Sequence, residues 1–190
     1  MMLLFGSFTF LYGQGNTCIA PLTITSLPYT MSGNTSAYGN DYTSANVPPA
    51  ISGAIGGTPS SSYLGGDDVV FSITPAINGQ MTVDVANVAA WTGVYVFTGC
   101  PFASTVGSNT SSSTGTRQVA AIPVIANTTY YIVISTWPTP DNTPFDLSVT
   151  GSAGLLTPPE ACSAMPSGGT ASLTPNGGNA GSPFIAKSTG

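Results

Sequence analysis

Histidine is absent from this 190-residue chain, and its only two cations are Arg117 and Lys187. Without histidine there is no Ser-His-Asp or Cys-His nucleophile pair, and no His-ligated zinc or copper site. Two cations cannot neutralise a run of phosphates, which excludes nucleic acid as a partner. They also cannot populate the polar face of an interfacial helix, and past the first residues no apolar run reaches the roughly 20 residues of a membrane span. No membrane insertion is expected. Acidic residues are scarce too, seven in all, so that 5% of the chain is charged where an ordinary domain carries roughly 25%. Solubility therefore rests on Ser, Thr, Asn and Gly.

Few carboxylates leave little room for acid-base catalysis. A glycosidase needs two of them about 5 to 10 Å apart across a cleft, whereas adjacent residues such as Asp67 and Asp68 point to opposite faces of a strand. With no nucleophile, base and oxyanion donor to assemble, the chain does not read as an enzyme. No cofactor is required by what remains.

Three cysteines, Cys18, Cys100 and Cys162, suit an oxidising compartment and leave one without an internal partner. The opening MMLLFGSFTFLYGQ is apolar over about the length of a signal-peptide core and then turns polar at QGNT. Residues 1–14 read as an export signal clipped by a late start. The alternative is a first core strand, since FGSFTFLY alternates in part. Near the other end the composition resets after LLTPPE, placing a linker at 152–160 and the start of a second module at 161–190. Cys162 then belongs to that module. Cys18 and Cys100 are left to pair within the first domain, one before its first strand and one just after VYVFT, the connectivity itself staying open.

Residues 15–151 make one domain's worth of chain. Short runs rich in Val, Ile, Tyr, Phe and Thr recur between Gly, Pro, Asn and Ser clusters, the pattern of an all-β sandwich or barrel. The expected strands are PLTIT, PYTM, DVVFSIT, QMTVDVA, GVYVFT, RQVAAIPV, TYYIVIST and FDLSVT. Val69, Phe71 and Ile73 share one face, as do Met81, Val83 and Val85, and Phe145, Leu147 and Val149. PAING between the first two of these rows reads as a hairpin loop, with Asn78 and Gly79 left-handed. TYYIVIST is apolar on both faces, as a strand in mid-sheet should be.

The segments GNDYTS, YLGGDDVVFSITPAINGQMTVDV, WTGVYVFTGCP and TTYYIVISTWPTPDNTPFDLSV together resemble the pre-peptidase C-terminal (PPC) type of domain in secreted Bacteroidetes proteins. The tail CSAMPSGGTAS resembles the start of an immunoglobulin-like module. The resemblance implies an antiparallel, jelly-roll-like β-sandwich of about eight strands. It implies a non-catalytic accessory or interaction module of a larger secreted or cell-surface protein, with further domains of the same polypeptide as partners. In the family a further cysteine often lies between GNDY and GGDD, where this chain has none. Two other classes stand beside this reading: a glycan-binding module, and a fragment of a secreted peptidase whose catalytic domain lies elsewhere.

Two features carry the candidate sites. Trp137, in TWPTPDN, sits on an expected loop at a sandwich end and could stack on a sugar ring, with an extracellular glycan or protein as partner; Trp91 offers the same chemistry, and packing is the plainer role for both. Asp67 and Asp68 beside two glycines are expected at an exposed sheet end, capping a turn by accepting backbone N–H groups. Asn40 and Asp41 recur with GGDD in the resembling family, so the two segments are expected to meet. Asp41, Asp67 and Asp68 could then hold a weak structural calcium ion, the one cofactor considered.

Overall fold

In the computed structural model, residues 13–56 and 59–156 are described. The export signal expected at 1–14 falls almost wholly outside them, as does the second module at 161–190. Ten strands form among the described residues: β1 (Leu22–Thr23), β2 (Tyr29–Asn34), β3 (Ala50–Ile55), β4 (Val69–Ile73), β5 (Gly79–Ala86), β6 (Thr92–Thr98), β7 (Ser104–Ser111), β8 (Arg117–Val124), β9 (Tyr130–Thr136) and β10 (Pro144–Gly151). They make a β-sandwich of a six-stranded sheet, β1-β4-β9-β6-β7-β3, and a four-stranded sheet, β2-β10-β5-β8. Pairing is antiparallel in the body of both sheets and parallel at two edges, β1 with β4 and β3 with β7.

The expected rows do fill the core. Val69, Phe71 and Ile73 face Met81, Val83 and Val85 across the interior, joined by Phe145, Leu147 and Val149. Burying rows of this kind is the dominant favourable term, at about 25 cal/mol for each Å² of apolar surface removed from water. β9 lies between β4 and β6, in mid-sheet, with Ile132 and Ile134 inward and Val133 outward. Along β8 the alternation slips at Ala121, whose φ is 55°, so Val119 and Ile122 both face inward. This is a bulge opposite Thr82, whose hydroxyl accepts the Ala121 N–H at 3.1 Å.

Three expectations are corrected. The rows on β4 and β5 belong to different sheets, so PAING is a crossover between sheets and not a hairpin. Neither Asn78 nor Gly79 is left-handed. The crossover is held from outside, by Ala76 N–H to Leu155 O (2.7 Å), Asn127 N–H to Pro75 O (2.8 Å) and Ala126 N–H to Asn78 Oδ1 (2.8 Å). Secondly, the linker does not start at 152: Leu155 is buried in the core and Ser152 N–H donates to Gln80 O. Finally, Asp68 is not exposed. Its accessible surface is 0%, for a reason that lies in the outer face of the six-stranded sheet.

That face carries a second core. Val70, Tyr95, Phe97 and Val133 point away from the sandwich interior and are roofed by Tyr42, Tyr63 and Leu64. The roof is the long connection from β2 to β4, containing β3 and the short helical turns Thr35–Ala37, Ser44–Asn46 and Ser61–Tyr63. Tyr95 Oη donates to Ser60 O (2.6 Å) and Thr105 Oγ1 to Pro48 O (2.7 Å), fastening it to the sheet. At one end the Cys18–Cys100 disulfide joins the N-terminal segment to the turn after β6, with Cα atoms 5.6 Å apart. Cys18 N–H donates to Tyr42 Oη at 2.7 Å, and the Tyr42 ring packs on Phe102 at 4.7 Å. A bridge of this kind suits an oxidising, extracytoplasmic compartment. No helix among the described residues is long and apolar enough to cross a membrane.

Candidate functional site

Trp137 follows the last residue of β9, and Trp91 precedes the first residue of β6. Because those strands are neighbours, the two indoles meet at one end of the sheet, with ring centroids 5.6 Å apart and planes inclined by 58°. Trp137 N–H donates to Trp91 O at 2.9 Å, so the pair is set by main chain as well as by side chains. Trp91 is 41% exposed and Trp137 39%. Beneath them lies the buried Tyr63, stacked on Trp91 at 6.0 Å and edge-on to Trp137 at 5.8 Å.

A network of buried hydroxyls holds the Trp91 loop. Ala89 N–H donates to Thr143 Oγ1 (2.8 Å), Thr92 Oγ1 to Ala89 O (2.9 Å), and Thr143 N–H to Thr35 Oγ1 (3.0 Å). Arg117 is buried too, and acts on backbone: its guanidinium donates to Thr92 O and Gly115 O, each at 2.9 Å, to Ser111 O at 3.0 Å, and to Ser113 O. Trp91 itself is left-handed, with φ 62°, a conformation uncommon outside glycine. The surrounding bonds fix it there.

Beside Trp137 is a groove of about 330 Å³, walled by Thr43, Ser44, Ser61, Ser62 and Pro138. Leu64 and Gly65 complete it, and none of its lining side chains is charged. A larger concavity, about 490 Å³, lies where residues 25–28 meet 150–156, and its lining has no aromatic or ionisable side chain. A third, about 240 Å³, adjoins the disulfide. Of these three, the groove at Trp137 is where half-exposed aromatic surface and hydroxyls converge.

The acidic segment builds that groove. Gly65 N–H and Gly66 N–H both donate to Thr136 O, at 3.0 and 2.9 Å, and Asp67 N–H donates to Asp141 O at 2.6 Å, clamping both ends of the Trp137 loop. Gly65 and Gly66 are there for close approach. Neither has positive φ, but a Cβ on Gly66 would collide with Thr136 Oγ1 and the Asp141 carbonyl, and one on Gly65 would press on Pro138. On its other side the segment holds the roof: Asp68 N–H donates to Gly39 O (2.7 Å), and Asn40 Nδ2 donates to Gly65 O (2.9 Å). Asp68 Oδ2 accepts the N–H groups of Asp41 (3.1 Å) and Tyr42 (3.0 Å). GNDY and GGDD do meet, and Thr43 and Ser44 of the groove wall follow directly.

The three acidic residues play separate parts. Asp41 is exposed, Asp67 half-buried and Asp68 fully buried. Among the described residues no group of three or more Asp, Glu, His or Cys side chains is placed to hold a metal ion. Asp68 Oδ1 is buried without a hydrogen-bond partner. Burial pushes the Asp68 carboxyl up to about 7, against the two backbone N–H groups that favour its charged form, with Asp41 and Asp67 adding to the rise. Burial also raises Asp41. Tyr63, the ring under both tryptophans, is the part of the site that the sequence reading missed. No pattern in YLGGDD marks it, since it is placed by a turn in the roof.

No family model matches the chain, and no curated protein matches it. Among solved structures it is similar to PliG of Aeromonas hydrophila, a periplasmic lysozyme inhibitor of g-type lysozyme, at 13% identity and a TM-score of 0.43, over 70% of this chain and 96% of that one. It is also similar to a GH26-CBM35 β-(1,4)-mannanase of Podospora anserina, at 19% identity and a TM-score of 0.32, over 66% of this chain and 28% of that one. Likenesses this distant do not bear on what the chain binds.

Proposed function

We propose that the chain is a non-catalytic, extracytoplasmic module of a larger secreted or cell-surface bacterial protein, of the PPC-like kind, and that it binds a neutral glycan at the Trp91–Trp137 end. The observation that carries this is the pairing of two half-exposed indoles with an uncharged, hydroxyl-walled groove. An indole face carries negative quadrupole charge and attracts the polarised C–H groups of a sugar ring, while side-chain hydroxyls exchange hydrogen bonds with the sugar's edge. Specific sites of this kind are largely apolar, with a few placed polar groups that set orientation. The groove has no cation to pair with a sulfate, a phosphate or a uronate, which favours a neutral ligand.

The site is also built beforehand. The GGDD clamp, the threonine network and Tyr63 fix both indoles before any ligand arrives, which lowers the ordering cost of binding. A glycan microarray probed with the whole chain tests the reading. Signal on neutral glycans, strongly reduced in Trp137→Ala, is expected; signal confined to acidic glycans, or none on any glycan, contradicts it.

A further inference from the structure

The inclination of the two indoles constrains the physical form of the ligand, a step that rests on the glycan reading above. Two rings whose planes differ by 58° cannot both lie flat on one planar surface. Tyr63 supports this inclination. Tyr63 stacks within 29° of the Trp91 plane and stands at 85° to that of Trp137, so flattening the pair would drive one indole off its support. The backbone bond from Trp137 N–H to Trp91 O ties the two loops at the same point.

The groove adds a second, independent constraint. Trp137 lines the groove together with Thr43, Ser44, Ser61 and Ser62, so a ligand stacked on Trp137 has side-chain hydroxyls beside its edge, that of Thr43 being already bonded to Asn46 Oδ1 and Ala45 N–H. A sugar chain packed in a crystalline sheet presents a flat face and keeps its edge hydroxyls bonded to neighbouring chains. A single solvated chain has both a face and free edges, and it can bend across inclined rings.

We infer that this site takes one soluble neutral polysaccharide chain, laid over the inclined Trp91 and Trp137 rings with its edge in the Ser/Thr groove, and that it rejects crystalline polysaccharide faces. The recognition is of an individual chain in solution.

Native gels cast with soluble xyloglucan, mixed-linkage β-glucan, galactomannan or dextran, run beside sedimentation with microcrystalline cellulose and chitin, test this on the whole chain. The expected result is retardation by at least one soluble polysaccharide, weakened about tenfold or more in Trp137→Ala and restored in part by Trp137→Phe, with no sedimentation on either solid. A Ser61→Ala, Ser62→Ala double variant should also bind several-fold more weakly, with its melting temperature unchanged. Tryptophan-dependent sedimentation with the crystalline solids at equal or greater affinity would overturn the inference and leave the glycan reading standing. Absence of binding to every soluble and solid polysaccharide would overturn both.

Discussion

Asp68 Oδ2 accepts the backbone N–H of Tyr42 at 3.0 Å, 26 residues away in sequence, and that bond fastens the roof of the outer core to the start of β4. The same oxygen takes the Asp41 N–H at 3.1 Å. A short acidic segment therefore governs where the groove wall at Thr43 and Ser44 stands. Asp68→Ala leaves both N–H groups without their acceptor, a loss of about 1–3 kcal/mol for unsatisfied buried donors. Chemical denaturation should show a fall of that order, and an unchanged midpoint would remove the latch from the account.

Proton linkage gives the latch a signature. The Asp68 carboxyl keeps its proton up to about pH 7 in the folded chain, whereas an unfolded Asp keeps it only to about pH 4. Folding thus takes up a proton between those limits, and stability falls as pH rises through that window and levels off above it. Asp68→Asn still presents an amide oxygen to both N–H groups and does not titrate. Its melting temperature relative to wild type should climb from about pH 4 to about pH 7 and level off above that. A gap that is constant or narrows with pH would contradict the placement of this carboxyl.

Calcium separates the latch from a metal site. With no group of three carboxylates placed to hold a metal among the described residues, millimolar calcium and chelator should give the same melting temperature. A calcium-dependent rise that disappears in Asp68→Asn would show instead that Asp41, Asp67 and Asp68 share a cation.

Gly66 has no room for a side chain. Its Cβ would meet Thr136 Oγ1 and the Asp141 carbonyl, so Gly66→Ala should cost about 1–3 kcal/mol by overpacking. It should also displace the Trp137 loop, shifting tryptophan emission. Native stability together with native emission in this variant would contradict the clamp.

The Cys18–Cys100 bridge spans 82 residues of sequence, a loop whose closure is worth about 4.5 kcal/mol in the chain-entropy model. Cys18→Ser with Cys100→Ser should lower the melting temperature and expose the Tyr42 side of the roof to proteolysis first. Peptide mapping without reduction should recover the linked pair; free thiols at both positions would refute it.

Much of this architecture was legible because alternation reports which residues face a core. The rows on β4, β5 and β10 and the two-sided β9 are of that kind. Alternation does not report which sheet a strand joins, so β4 and β5 read as a hairpin although they face one another across the sandwich. β3 and β7 went unseen because AISGAI and STVGSNTS are rich in Ala, Ser and Gly, and they are strands through their neighbours rather than their own propensity. The burial of Asp68 was illegible for a related reason. Nothing local says that a polar, proline-bearing connection folds back over the sheet. Trp137 could be placed on a loop from TWPTPDN, but its partnership with Trp91 depends on the β6–β9 pairing, a long-range fact.

Neutral-glycan binding by the inclined Trp91–Trp137 pair and its hydroxyl-walled groove is our proposal for this chain. The decisive measurement is titration of the whole chain with neutral oligosaccharides, followed by intrinsic tryptophan fluorescence and calorimetry in parallel. Saturable binding to at least one of them, with a change in tryptophan emission, is the predicted result for the wild type. In Trp137→Ala the binding should weaken about tenfold or more, in a chain that loses some stability through the missing ring contacts and still folds. A wild-type chain silent toward every neutral oligosaccharide, or an affinity unchanged in Trp137→Ala, would rule this binding out.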